Sequence, residues 1–105
     1  MIVYSIYPHA NQTFSVEAEG WSFDFVLRSF RGLLYASVTN GEGVIPSAGM
    51  VRCANKAWLI PWRPAGSVCG NFRFEDREGK YPDTDNFASS CRLVYYSAAE
   101  IAKGV

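Results

Sequence analysis

The chain has one histidine, His9, in a Pro-His-Ala-Asn turn, and a Ser or Cys nucleophile would need that imidazole as its base. Nothing around any Ser or Cys marks it as activated, so His9 reads as a loop residue exposed to solvent. Cys53, Cys69 and Cys91 are widely spaced and form no C-x-x-C pair, which removes the zinc ribbon and the dithiol redox motif. They read as buried free thiols, with one disulfide among them as the lesser alternative. Asp76, Glu78, Asp83 and Asp85 crowd one loop with the oxygen chemistry that calcium takes. The alternate spacing and terminal Glu of a calcium loop are missing, and Arg77 and Lys80 sit inside the cluster, so it reads as a solvated or interface loop. Asn11-Gln12-Thr13 fits the glycosylation pattern only formally, because no secretory signal accompanies it. No catalytic, cofactor or metal residue is assigned.

Aromatic residues beside cations are the remaining chemistry. Trp58, Trp62 and Tyr81 flank Arg63 and Lys80, and such groups stack on bases or sugars or anchor protein interfaces. Ten basic residues balance ten acidic ones, so the excess positive charge of a nucleic-acid binder is missing. Seven of the ten are Arg, the cation best suited to planar recognition at interfaces. The near-zero charge also leaves little repulsion against self-association, so a homo-oligomer is open. The interface candidates are therefore Trp58, Trp62 and Arg63 of the proline-aromatic loop Trp62–Pro64 and the stretch before it, and Arg77, Tyr81, Asp83, Asp85 and Phe87 from the acidic loop.

The elements that must carry these loops follow the strand period. Phe14, Val16 and Ala18 alternate with polar residues, and Trp21, Phe23, Phe25 and Leu27 alternate again after Glu19-Gly20. Ile2–Tyr7, Asn11–Ala18, Trp21–Arg28 and Leu33–Thr39 read as strands, with Ser29–Gly32 as a turn. Asn40-Gly41 is a strong hairpin signal, after which Val44-Ile45 resumes pairing. Gly49–Asn55, Ala57–Pro61, Cys69–Glu75 and Cys91–Ser97 complete about eight or nine short strands. In the tail after Ser97, Ser97 and Glu100 have capping-box spacing for a short helix. With 105 residues, 49% hydrophobic and 15% aromatic, the expectation is a single all-β domain over residues 1–105, a small antiparallel barrel or sandwich. No leader or apolar run of about 20 residues is visible, so a soluble protein made in the cytoplasm, without a membrane segment, is expected.

In their order, several pieces resemble a known family. They are Pro8–Val16, Leu27-Arg28 before Gly32–Tyr35, Asn40-Gly41, Gly49, Asn55 with Leu59-Ile60-Pro61, Gly70–Asp76, Gly79 with Tyr81-Pro82, and Arg92–Tyr96. The chain is similar, over roughly residues 2–97, to the small baseplate plug proteins of contractile-tailed bacteriophages, prophages included. The resemblance implies a non-enzymatic virion component without cofactor, placed at the central hub of the tail baseplate. Its expected partners are hub, spike and tube proteins, and its place of synthesis is the host cytoplasm. The aromatic strand Trp21–Leu27, the three cysteines and the tail Ala98–Val105 depart from the family pattern. Two rival readings remain. One is a ligand- or carbohydrate-binding β module using Trp58, Trp62 and Tyr81. The other is a small hydrolytic or metal protein using His9 or the acidic loop.

Overall fold

The computed structural model describes residues 1–40, 50–60, 70–87 and 89–105. Its elements are β1 (Ile2–Tyr4), β2 (Gln12–Ala18), β3 (Trp21–Phe30), β4 (Leu33–Asn40), β5 (Val51–Arg52), β6 (Asn71–Asp76), β7 (Cys91–Tyr96) and α1 (Ala98–Ala102). One antiparallel sheet has the order β1-β7-β6 and the other β2-β3-β4-β5. The two are separate layers of a sandwich, and among the described residues no ladder joins them into a barrel.

Alternation dictates the layering. Phe23, Phe25 and Leu27 of β3 and Leu34, Ala36 and Val38 of β4 are buried, while their sequence neighbours face outward. The facing sheet contributes Phe72, Phe74, Leu93 and Tyr95. The β2–β3 and β3–β4 hairpins each turn on two residues with positive φ, Glu19-Gly20 (53° and 80°) and Arg31-Gly32 (53° and 77°). That backbone matches the right-handed twist of the strands it joins. β3 consequently runs two residues beyond the expected Arg28, and Phe30 pairs with Leu33.

Side chains fix where the strands stop. β1 ends at Tyr4 rather than Tyr7, and the Gln12 side-chain amide donates to the carbonyls of Tyr7 and His9, both at 2.8 Å. Asn11 Oδ1 accepts from Ser29 N at 3.1 Å and so holds the open end of the β2–β3 hairpin. Tyr4 links the layers by donating its hydroxyl to the Glu17 carbonyl at 2.6 Å.

Seven strands are present among the described residues, against the eight or nine expected. Of the stretches read as strands, Val44-Ile45 falls outside the described residues, and the described part of Ala57–Pro61, through Ile60, makes only an isolated bridge, Trp58 to Arg73. Its backbone runs along β6 through Lys56 N to Phe74 O and Leu59 N to Phe72 O. The buried Asn71 side chain then replaces the next ladder rung, accepting from Ile60 N and donating to Ile60 O. Gly41, Val44-Ile45, Pro61–Pro64 and Cys69 lie outside the described residues. The tail helix forms with the full capping box, Ser97 and Glu100 each serving the other's backbone. No helix among the described residues is long and apolar enough to cross a membrane.

Candidate protein interface

Trp58 is half-buried and engaged within the molecule. The Arg73 guanidinium lies 4.6 Å from its ring centroid and 4.7 Å from that of Tyr96. Trp58 and Tyr96 meet edge to face at 5.9 Å. Arg73 Nε and the Tyr96 hydroxyl both donate to Glu75 Oε2, at 2.7 and 2.6 Å. Burial pushes the Glu75 carboxyl up, but those two bonds and the Arg73 charge outweigh it and leave it below the usual range. The cluster fastens the Trp58 segment onto β6 and β7.

The acidic loop is organised by its own side chains. Asp76 Oδ2 accepts from Lys80 N at 2.6 Å. The Ser90 hydroxyl, with the Lys80 and Glu78 backbone amides, holds the Asp76 carboxyl low against the effect of burial. Asp83 N donates to Asn86 Oδ1, Asn86 Nδ2 donates to the Tyr81 carbonyl, and Asp83 Oδ1 accepts from Thr84 N. Arg77 reaches the Ser89 carbonyl, and Asp85 is exposed. These bonds present Arg77, Tyr81, Asp83 and Asp85 to solvent. Phe87, also in the expected set, is 4% exposed and stacks on Phe74 at 5.6 Å, anchoring the loop in the core. Trp62 and Arg63 lie outside the described residues.

The rival chemistries can be placed on the same geometry. Among the described residues, no three of His, Cys, Asp and Glu converge on a point a cation could take. Cys53 and Cys91 are free and buried, and burial pushes both thiols up to about 12. At neutral pH they hold their protons and are poor nucleophiles.

Tyr81 and Asp83 are brought together with residues that the alternation argument passed over. They line a cavity of about 160 Å³ with Leu33, Leu34, Arg52 and Pro82. Arg52 lies over the Tyr81 ring at 4.9 Å, and Arg31 over Phe30 at 5.2 Å. Phe30 is 60% exposed and Tyr81 61%. Trp58 does not join this group. A signal for it existed in the sequence: Phe30 stands on the polar parity of its strand, opposite to Phe23, Phe25 and Leu27.

Residues 1–98 match the family model described as cyanophage baseplate Pam3 plug gp18. The match stops where α1 begins. No curated protein matches the chain.

Proposed function

Because the chain belongs to the family of the cyanophage baseplate plug, we propose that it is a non-enzymatic part of a contractile phage tail baseplate. It works in the hub and plug region by presenting shaped surface to neighbouring proteins. Its partners are the hub, spike and tube proteins, and it is made in the host cytoplasm before joining the virion. The observation that carries this reading is the family match, which takes in every strand of both sheets and leaves out only the tail. The geometry supports it in two ways. Among the described residues, the candidate aromatic Trp58 is spent internally and Tyr81 is set on an open face. The buried thiols at about 12 offer no nucleophile to an enzyme reading.

The test is deletion and complementation in the producing phage or prophage. Tails purified from complemented cells should contain the chain by mass spectrometry, at the baseplate end in electron-microscopic reconstructions. Cells lacking it should yield defective baseplates. Normal, infectious tails without the chain would sink the reading.

A further inference from the structure

We propose that the solvent face of β3, β4 and β5 beside the Arg31-Gly32 turn docks an acidic segment of another tail protein. The inference rests on the baseplate reading and adds the surface and the chemistry of its partner. Cross-strand register pairs Arg28 with Tyr35, and Tyr35 with Arg52, so the three form one row across the sheet. The next row is Phe30 paired with Leu33, with Arg31 folded over the Phe30 ring. Three guanidinium groups thus border one apolar surface. The ion pairs among the described residues are Met1–Glu100, Arg73–Glu75 and Lys80–Glu78, and none of them uses these arginines. Arg28 bonds the Leu27 carbonyl, while Arg31 and Arg52 rest on aromatic rings.

An arginine lying on a ring keeps its in-plane N–H edge for a carboxylate, and the ring limits the entropy lost when one binds. Exposed Phe30, Leu33 and Tyr81 supply the apolar centre that an interface needs around such charges. Asp83 lines the same cavity, and among the described residues no ion pair joins it to any of the three arginines. A second copy of this chain fits poorly, since a two-fold contact through this face would set arginine row against arginine row. A nucleic acid also fits poorly, because the row holds only three cations and the chain carries no net positive charge.

The experiment places a photo-cross-linking phenylalanine derivative at position 35 of the full chain in cells that assemble tails. Tails are purified and irradiated, and the adducts are mapped by mass spectrometry. The expected adduct is a peptide of a different tail protein with Asp or Glu within a few residues of the link. Arg31→Glu combined with Arg52→Glu should lower its yield by about tenfold or more, as charge reversal at a paired site does. Glutamate fits position 31 without new strain, because Glu19 holds the same φ of 53° in the other hairpin. Circular dichroism checks that the double variant folds. An adduct to a second copy, to DNA, to a peptide without carboxylates, or to nothing while the chain is present in tails overturns the docking proposal alone. Absence of the chain from tails overturns the baseplate reading with it.

Discussion

A Cβ on Gly70 would stand 1.9 Å from the Tyr96 carbonyl oxygen and 2.6 Å from the Tyr95 ring. Real atoms do not approach so closely, and the first obstacle is backbone, which cannot rotate away. Gly70 also donates its N–H to the Tyr95 hydroxyl at 2.9 Å, and that hydroxyl in turn donates to Glu19 at 2.6 Å. One glycine therefore fixes how the entry to β6 meets the end of β7 and, through Tyr95, the β2–β3 turn. Gly70→Ala should cost about 3 kcal/mol or more, the range of overpacked cores with a broken buried bond. Gly20→Ala is the comparison: Gly20 has φ +80° but open space around it, so only the left-handed penalty of roughly 1–2 kcal/mol applies. Urea unfolding of both variants checks the order, and equal losses would show that crowding at Gly70 is relieved by movement. The segment from Gly70 to Asp76 belongs to the family resemblance, yet the sequence does not disclose this reason for its glycine. The clash is with residues about 25 positions away, which no local pattern reports.

At the scale of elements, alternation located β2, β3 and β4 to within two residues because each strand buries one face and each hairpin is punctuated by glycine. The same reasoning overstated Ala57–Pro61, where the ladder along β6 stops at Leu59 and a side chain holds Ile60. Asn71 makes three hydrogen bonds, two with Ile60 and one with its neighbour Phe72. Asn71→Ala would leave the Ile60 N–H and C=O unpaired in a site where Ile60 is 2% exposed. At ~1–3 kcal/mol for each buried unsatisfied group, a loss of about 3 kcal/mol is expected. Hydrogen exchange should show the Ile60 amide losing its protection, and an unchanged Ile60 rate would mean that another contact holds the segment. Helix α1 gives a prediction in pH. Its capping Glu100 also accepts two 2.8 Å bonds from the Met1 ammonium. That ammonium, then the Ser97 amide, pull the carboxyl down to about 2. A depressed acid stabilises fully above its unfolded value of ~4.3, and the contribution fades as pH falls and is gone below about 2. An NMR titration of the Glu100 carboxyl should therefore show a midpoint well below that of a free glutamate. A midpoint near 4.3 would mean the clasp between the first strand and the last helix does not form in solution.

The whole molecule is joined through one ring. Phe72 is fully buried and meets Phe23 at 4.9 Å and Phe25 at 4.8 Å in the opposite sheet. It also meets Tyr95 at 4.9 Å and Tyr4 at 6.2 Å in its own sheet. This explains the aromatic strand Trp21–Leu27, which the family resemblance left unexplained: its inward rings are the surface against which Phe72 packs. The sequence showed which faces were apolar but not which rings would meet, because the contact closes between strands some fifty residues apart. The docking face was only partly legible: Tyr81 stood among the interface candidates, but Phe30, on the outward parity of its strand, read as part of the Ser29–Gly32 turn. If both sheets depend on Phe72, the chain should unfold as a single cooperative unit. Phe72→Ala should then cost ~3–5 kcal/mol, a large part of the ~5–15 kcal/mol that holds a domain together. Phe72→Leu keeps most of the volume and should cost less. Two probes decide the matter: far-ultraviolet circular dichroism for the sheets and tryptophan fluorescence of a Trp62→Phe background, which reports Trp21 on β3 and Trp58 against β6 and β7. Coincident transitions, shifted together by Phe72→Ala, are expected of one core. Separate transitions, with only one displaced by the substitution, would show that the two sheets are stabilised independently and that the ring contacts couple them weakly.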